Sequence, residues 1–388
     1  MIFALALGGI GLTAWLYLLL ARGGFWRANI LDEGDMLPEP NEWPNVTAVI
    51  PARNEADAIP GSLPSLLTQD YPKSLTVILV DDQSSDGTAT AALVAGEAAG
   101  SADRLKVLKG QALPRGWTGK LWAVNQGVLQ ARELSPPPRY LLLTDADIAY
   151  DPEVVRRLVM RAEAGQLALT SLMVKLRCES FAERLLIPAF VFFFQMLYPF
   201  AWVNRRNSAV AAAAGGCMLV RREALERAGG IEAIRSSLID DCALARNMKK
   251  QGPVWLGLTE SARSLRPYPR IAHIRQMVAR SAYDQLNYSP SLLAGTVIAM
   301  TIAYILPPAL GLGGAGYAQA MGWVGWLLMT VAYLPMVRFY GLSPLWALAL
   351  PVSSGLYMLF TLDSALKHWR GRGGLWKGRL QARRAEAS

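Results

Sequence analysis

Charged side chains are scarce in this chain of 388 residues: they make up 18% of it, against 52% hydrophobic residues. That composition argues against an ordinary soluble protein. The cysteines Cys178, Cys217 and Cys242 lie far apart and form no C-x-x-C pair, which disfavours a zinc site or a disulfide and suits a reducing compartment. Internal repeats, low-complexity segments and nucleic-acid-binding motifs are also missing, so the net charge of +9 does not indicate a nucleic-acid partner.

Three stretches contain no charged side chain at all: residues 2–21, 285–337 and 339–362. The first is about long enough to cross a bilayer as one helix, and the second is long enough for two helices around "GLGGAGYAQA". The third is a further candidate. The sequence therefore predicts a membrane protein whose charged residues form a water-facing domain between apolar ends.

The first apolar stretch lacks both a basic segment before it and a small-x-small cleavage site after it, so we expect an uncleaved anchor rather than a signal peptide. Arg22 and Arg27 follow it and, by the positive-inside rule, place the central domain in the cytoplasm. The basic tail is expected there too, where it meets anionic head groups. Three crossings after residue 285 would instead put the tail outside, so the number of crossings stays open.

Four segments of the central region, most of them continuous apolar runs, have strand patterns and alternate with helical patterns: residues 46–51, 75–82, 104–110 and 140–147. Such continuous apolar strands indicate a mostly parallel sheet with both faces covered. Ligands bind such sheets beyond the carboxyl ends of the strands. Polar clusters follow the strands at residues 53–55, 81–82 and 145–147, so we expect one ligand site at that edge.

The stretch "TDADIAYDP" places Asp145 and Asp147 one residue apart at the end of a buried strand. Two carboxylates so close repel each other unless a positive charge lies between them. A helix N-cap explains one of them. Together they suit a Mg²⁺ or Mn²⁺ ion that also takes ligands from a diphosphate.

Three further stretches each have a structural and a functional interpretation. In "VDDQSSDGT" the acids favour a turn, or accept hydrogen bonds from a nucleobase or ribose. In "GWTGKLWAVNQG", Lys120 is either a solvated lysine or a cation that faces a phosphate. In "SLIDDCAL", Asp240 and Asp241 either cap a helix, which the local pattern favours, or supply a general base.

The motifs "VIPARNE", "VDDQSSDGT", "TDAD" and "IDDCAL", in this order and at these separations, resemble the family 2 glycosyltransferases, whose fold is called GT-A. With "GWTGKLWAVNQG", the C-terminal apolar segments and "WRGRGGLWKGR", the pattern is most similar to the hopene-associated glycosyltransferases of bacterial hopanoid gene clusters. Membrane ceramide glucosyltransferases are similar relatives. The resemblance covers nearly the whole chain.

The resemblance implies a role for each matching residue. Asp145 and Asp147 would hold the metal ion. Asp241 would be the catalytic base, with Asp240 where relatives have Glu, beside a glycine turn at residues 215–216. The implied contacts to the nucleotide sugar are Pro51, Arg53, Glu55, Asp81, Asp82, Lys120, Asp145 and Arg280.

One departure concerns the Q/R-x-x-R-W motif of relatives that build polymers. Here Met277 stands three residues before Arg280, and Ser281 follows it in place of tryptophan. The sequence therefore favours transfer of a single sugar. Arg280 remains the expected contact of the leaving diphosphate.

The predicted protein is an α/β GT-A enzyme, Rossmann-like with a mostly parallel sheet, plus transmembrane helices, in the bacterial inner membrane. We expect it to move one sugar, with inversion, from a nucleotide sugar such as a UDP-hexose to a lipid acceptor, a hopanoid or similar. The expected segments are an anchor at 1–21, a linker at 22–45, the GT-A domain at 46–287 with an interfacial stretch at about 181–204, a membrane region at 288–363 and a basic tail at 364–388.

Alternative functions remain open on the sequence alone. A polyprenyl-phosphate glycosyltransferase needs no base, because its acceptor is already ionised, and a sphingolipid glycosyltransferase differs only in the acceptor. An aspartyl-phosphate phosphatase also uses D-x-D, but usually at the first strand, whereas Asp145 ends the fourth. A non-catalytic scaffold would not need acids at all three predicted positions.

Overall fold

The computed structural model describes residues 2–371 and the backbone of residues 375–376 and 379–380. The chain divides into two compact units. The sheet-bearing unit comprises residues 30–176, 202–266 and 375–388, and the apolar unit comprises residues 1–29, 177–201 and 267–374. Most of the expected basic tail at 364–388 lies outside the described residues, although its first residues continue the last helix.

The sheet-bearing unit is built on eight strands in the order β3-β2-β1-β4-β7-β6-β8-β5. Strands β3, β2, β1 and β4 are mutually parallel, and β7 then pairs antiparallel with both β4 and β6. Strand β8 is parallel to β6, so its carboxyl end reaches the same edge as that of β4. The strands are β1 (Val46–Ala52), β2 (Leu75–Asp81), β3 (Leu105–Lys109), β4 (Tyr140–Thr144), β5 (Ile148–Tyr150), β6 (Leu169–Lys175), β7 (Cys217–Arg221) and β8 (Val254–Ser264).

Strands β1 and β4 are buried at every position because helices cover both faces of the sheet. The strands predicted at 46–51, 75–82, 104–110 and 140–147 are β1 to β4, so the parallel half agrees with the prediction. The other four strands follow shorter or interrupted patterns. Two short strands, β9 (Leu375–Trp376) and β10 (Arg379–Leu380), form a separate pair.

Helices account for most of the remaining described chain. They are α1 (Ile2–Leu20), α2 (Ile59–Leu67), α3 (Thr88–Ala98), α4 (Gly119–Arg132), α5 (Val154–Ala164), α6 (Phe181–Leu197), α7 (Phe200–Val203), α8 (Arg222–Arg227), α9 (Asp240–Lys249), α10 (Ile271–Ala279), α11 (Pro290–Met300), α12 (Leu306–Gly313), α13 (Gly316–Phe339) and α14 (Leu350–Trp369).

Among the described residues, five helical segments are long and apolar enough to cross a membrane. They are Ile2–Leu20, Phe181–Val203, Pro290–Gly313, Gly316–Phe339 and Pro344–Trp369. Four of them correspond to the uncharged stretches of the sequence. The fifth, Phe181–Val203, is the segment for which the sequence favours an interfacial position.

The segment Pro290–Gly313 is interrupted by a π-helical turn, Thr301–Ile305, just before Pro307. Proline has no N–H, so the carbonyl of Ala303, four residues earlier, loses its helical donor. The indole Nε1 of Trp15 on α1 donates to that carbonyl instead, at 2.6 Å. The Trp15 ring is fully buried, so a polar side chain and a broken helix satisfy each other inside an apolar unit.

Helix α6 begins with a capping box in which Ser180 and Glu183 each accept a backbone N–H. Its middle packs against α14: Ser353 Oγ donates to the Leu185 carbonyl at 2.7 Å, and Tyr357 Oη to the Leu186 carbonyl at 2.8 Å. More than half of the Phe181–Val203 window is buried. This segment is therefore an inner helix of the apolar unit, and an interfacial position for it stays a prediction.

The expected linker at 22–45 is partly built into the sheet-bearing unit. Leu31 forms a β-bridge with Leu258, and the Asp32 carboxylate is buried between arginines of α5. Glu33 Oε1 accepts a hydrogen bond of 2.6 Å from Thr259 Oγ1. In the sequence this stretch of acids, Gly and Pro resembles a loop. In the structure, hydrogen-bond donors from distant parts of the chain hold its acids in place.

Candidate active site

The loops after β1 and β2 are cross-linked by their side chains. Asn54 N donates to Ser84 Oγ at 3.0 Å, Ser85 N donates to Asn54 Oδ1 at 2.9 Å, and Glu55 N donates to Thr88 Oγ1 at 2.9 Å. Asn54 has a φ of 51° in the left-handed region, which asparagine tolerates better than most residues. The two loops therefore form one fixed edge.

Asp81 and Asp82 differ in burial and in their hydrogen-bond partners at this edge. Asp81 Oδ1 accepts the N–H of Ser84 at 3.0 Å, which is turn chemistry as the simpler interpretation expects. Asp82 is fully buried; its carbonyl accepts from Arg53 Nη1, and its Oδ2 lies 3.9 Å from that nitrogen. Burial of a carboxylate goes beyond what a turn needs.

Lys120 is not a solvated lysine. Thr118 caps α4 by accepting from Leu121 N, and Lys120 in the first turn points its Nζ to 2.9 Å from Asp145 Oδ1 and 3.3 Å from Asp240 Oδ2. Burial alone would lower the pKa of Lys120, but the two carboxylates outweigh it and raise the pKa above its usual value. The ammonium therefore stays charged at any working pH.

Asp145 and Asp147 are not helix caps, because β5 begins directly after them at Ile148. Asp147 is almost fully buried, and its Oδ2 accepts from Ser264 Oγ at 2.8 Å. The pKa of Asp145 is raised, mainly by burial; Lys120 opposes this effect and the charge of Asp147 adds to it. The predicted repulsion between the two acids is thus part of the site.

Arg266 is the charged residue of this site that sequence reasoning missed. Its Nε lies 3.3 Å from Asp147 Oδ2, and its Nη2 lies 2.7 Å from Glu55 Oε1. It follows the end of β8 by two residues, so the strand-end rule that selected the acids would have selected it too. The signal was hidden because β8 does not stand out as an apolar run.

Asp240 and Asp241 open helix α9, and Asp241 reaches across to another motif. Its Oδ2 accepts the N–H of Gly215 at 3.0 Å. Burial, with the neighbouring charge of Asp240, raises the pKa of Asp241 to about 6, and Lys120 opposes the shift. A Cβ at residue 215 would lie 3.4 Å from Lys120 Nζ and 3.5 Å from Asp241 Oδ2, so glycine leaves both charges uncovered.

A small cavity opens among these side chains. Its polar lining includes Lys120, Thr144, Asp145, Gly215 and Asp240. Its remaining lining is apolar: Pro51, Leu121, Val124, Leu143, Met218, Ile231, Ile234 and Leu244. Residues of five separate sequence motifs therefore meet at one cavity.

The acids of this site outnumber the cations that neutralise them. Asp145, Asp240 and Asp241 surround the single ammonium of Lys120, which leaves an excess of about two negative charges. Within the part of the chain that the structure describes, no three His, Cys, Asp or Glu side chains converge as a self-sufficient metal site. The residues therefore fit a divalent ion that takes its other ligands from a bound diphosphate and water.

Arg280 belongs to the apolar unit. It ends helix α10 and is exposed. Its expected contact with the leaving diphosphate stays a prediction.

Comparison with known proteins identifies the chain. The model of "Glycosyl transferase family 2" matches residues 47–229, and that of "Glycosyl transferase family group 2" matches residues 140–364, which is more than half of the chain. The chain is a family 2 glycosyltransferase. Its predicted membership of this family and its activity as a nucleotide-sugar transferase are thereby confirmed.

One solved structure shares the fold of this glycosyltransferase, and a second resembles it more weakly. A mannosyltransferase from Pyrobaculum calidifontis, in complex with GDP-Man and Mn²⁺, matches with a TM-score of 0.60 and 19% identity over 95% of this chain and 99% of its own. The glucosyl-3-phosphoglycerate synthase of M. tuberculosis matches with a TM-score of 0.38 and 18% identity over 61% and 78%. The predicted GT-A fold is confirmed by the first match. No curated protein sequence matches the chain.

Proposed function

We propose that this glycosyltransferase moves a single sugar, with inversion, from a nucleotide sugar to a lipid acceptor. The observation that carries the proposal is the environment of Asp241. Its carboxylate is held by Gly215 N, lies beside Asp240 and Lys120, and has a pKa of about 6. A base with such a pKa is ionised at neutral pH and still accepts a proton efficiently.

For the donor, we propose that the edge formed by Pro51, Arg53, Asp81 and Asp82 binds the nucleoside. The buried Asp82 carboxylate suits a base or ribose hydrogen bond. A UDP-hexose is our expectation from the sequence. A mannosyltransferase of similar fold forms a complex with GDP-Man, so GDP-mannose belongs in any donor panel.

Asp145 and Asp147 are the residues that would hold a Mg²⁺ or Mn²⁺ ion, and Lys120 would face the diphosphate; the contact of Arg280 with the diphosphate is an expectation from the sequence resemblance alone. The ion, when bound, would neutralise charge on the departing diphosphate. The excess of negative charge around Lys120 and the exposed part of the Asp145 side chain support this assignment. The role that we propose for Glu55 is to hold the Arg266 guanidinium beside Asp147.

The chain's own groups account for the acceptor step. Asp241 takes the proton of the acceptor hydroxyl, whose oxygen attacks the anomeric carbon from the face opposite the leaving group. Asp240 keeps the Asp241 carboxylate basic by raising its pKa. Because attack and departure are in line, the product has the opposite anomeric configuration and no covalent intermediate is needed.

The acceptor we propose is a lipid hydroxyl, a hopanoid or a similar membrane lipid. Five helices long and apolar enough to cross a membrane support a multi-pass membrane location. That this is the bacterial inner membrane, with the sheet-bearing unit on the cytoplasmic side, we propose from the family resemblance and from Arg22 and Arg27 after the first helix. A second sugar has no expected binding platform, because Ser281 replaces the tryptophan of polymerising relatives.

A transfer assay tests this proposal. The full chain in lipid nanodiscs is given labelled UDP- and GDP-hexoses with three acceptors: a hopanoid alcohol, a ceramide and a polyprenyl phosphate. We expect one sugar on a lipid hydroxyl, with inverted configuration by NMR. Transfer to polyprenyl phosphate alone would contradict the acceptor, a retained configuration would contradict the in-line step, and no lipid product from any donor would favour a scaffold.

A further inference from the structure

Arg266 connects two acids that come from different motifs of the site. Its guanidinium contacts Glu55 Oε1 at 2.7 Å through Nη2 and Asp147 Oδ2 at 3.3 Å through Nε. The side chains of Glu55 and Asp147 are only 10% and 9% exposed, so water shields these charges weakly. The loop that carries Arg266 is fixed as well, since Leu265 N donates to the Asp147 carbonyl at 2.8 Å.

Both acids of the D-x-D pair therefore have a cation of the chain beside them. Lys120 lies 2.9 Å from Asp145, and Arg266 lies 3.3 Å from Asp147. Lys120 retains a second acid, Asp240, whatever happens at Asp145. Arg266 likewise retains Glu55, and it contacts the one oxygen of Asp147 that Ser264 Oγ also contacts.

A divalent ion and a guanidinium compete for such an oxygen, because two cations at hydrogen-bonding distance from it repel each other strongly. A bound diphosphate changes this balance. It brings negative charge that the planar guanidinium binds well. The Arg266 side chain is 32% exposed, so a ligand from solvent can reach it.

We propose that Arg266 couples metal binding to nucleotide binding. Without nucleotide, it holds Asp147 and disfavours the divalent ion. With nucleotide, the diphosphate draws the guanidinium away and leaves Asp147 to the metal. This inference rests on the proposed metal-dependent function and makes Arg266 a positioning residue. By linkage, the metal must then raise nucleotide affinity by the same factor.

The test measures Mn²⁺ affinity of the full chain in detergent, by electron paramagnetic resonance of free Mn²⁺, with and without UDP, and with GDP in parallel. The variant is Arg266→Gln, which removes the charge and keeps polar atoms. The matched control is Arg263→Gln, three residues earlier, whose guanidinium lies 3.4 Å from Asp151 and is 58% exposed. It removes the same charge without touching Asp147.

We expect Arg266→Gln to bind Mn²⁺ alone about tenfold or more tightly than the wild type and Arg263→Gln. The gain in Mn²⁺ affinity on adding nucleotide should shrink by a similar factor. Equal or weaker binding of Mn²⁺ alone by Arg266→Gln would overturn the proposal and indicate that Arg266 supports the metal site. If no variant bound Mn²⁺ while nucleotide still bound, the metal assignment itself would fail, and the coupling with it.

Discussion

The sheet-bearing unit contains two partly buried groups of charges that differ in how their acids are paired with cations. We call them the Asp32 cluster (Asp32, Asp35, Arg157, Arg161) and the Lys120 cluster (Lys120, Asp145, Asp240, Asp241). In the Asp32 cluster, Arg157 Nε lies 2.9 Å from Asp32 Oδ2, and Arg161 Nη1 lies 2.9 Å from Asp35 Oδ2. In the Lys120 cluster one ammonium serves three acids.

In the Asp32 cluster the acids and arginines pair with one another. Arg161 also contacts the carbonyl of Asp32 and stacks on the Trp255 ring, with its Cζ 3.9 Å from the ring centroid. Two guanidinium groups contact the buried Asp32 carboxylate, and Glu33 and Glu153 each lie 3.9 Å from Arg157, so these ion pairs hold residues 30–35 on α5. The Lys120 cluster keeps a negative excess and lines a cavity. A carboxylate that two guanidinium groups contact stabilises a fold, whereas three acids that share one ammonium are suited to binding a further cation and its ligand.

The largest expected effect is that of Asp241→Asn on turnover. Loss of the base should lower kcat by about 10²–10⁴-fold, while nucleotide-sugar binding stays within a few-fold of wild type. Initial rates and donor titrations on the same preparation measure this, with Asp151→Asn as an exposed control. Full activity of Asp241→Asn on a polyprenyl phosphate would instead indicate an acceptor that needs no base.

The next effect concerns stability, and it separates the two clusters. Asp32→Asn leaves two arginines short of a partner in a buried place, which should cost about 3 kcal/mol and lower the Tm by about 5–10 °C. Asp241→Asn removes one of several repelling acids and should leave the Tm unchanged or raise it. Thermal unfolding of the two variants compares them directly; an equal loss in both would mean that the Lys120 cluster is structural as well.

The pH profile should show the raised pKa of Asp241. The carboxylate must be ionised to accept a proton, so kcat/KM should fall about tenfold per pH unit below pH 6 and be level just above it. Asp240→Asn removes the neighbouring charge that raises this pKa, so its profile should begin to fall at a lower pH. A profile that is flat from pH 5 to 8 would argue against Asp241 as the base.

The smallest expected effect is that of Arg263→Gln on folding. Its partner Asp151 is 49% exposed and the pair lies at the surface, so stability should change by less than about 1 kcal/mol. Thermal unfolding beside Asp32→Asn checks it. A loss as large as that of Asp32→Asn would mean that exposure does not separate the two kinds of ion pair.

Local patterns predicted much of the fold and the site. Continuous apolar runs marked β1, β2 and β4, and the strand-end rule selected Asp82, Asp145 and Asp147 from the sequence alone. Local patterns did not predict the tertiary contacts. Lys120 has the local pattern of a solvated residue, and only the folded sheet brings it to Asp145 and Asp240.

The contacts of Asp32 and Arg266 were also not predictable from local sequence patterns. Asp32 stands in a stretch rich in acids, Gly and Pro, and its burial depends on arginines more than 120 residues away. Arg266 follows a strand that pairs parallel with β6 over an interrupted register, so its apolar pattern is irregular. Long-range charge pairing has no periodicity, and a single sequence therefore does not reveal it.

The most direct test of the account is calorimetric binding of a panel of UDP- and GDP-sugars to the purified full chain, with Mn²⁺ or with EDTA, beside Asp147→Ala. The account predicts that one nucleotide sugar binds with Mn²⁺, binds much more weakly with EDTA, and loses its metal dependence in Asp147→Ala. Binding that is equally tight with EDTA and in the variant, or no binding to demonstrably folded protein, would contradict it.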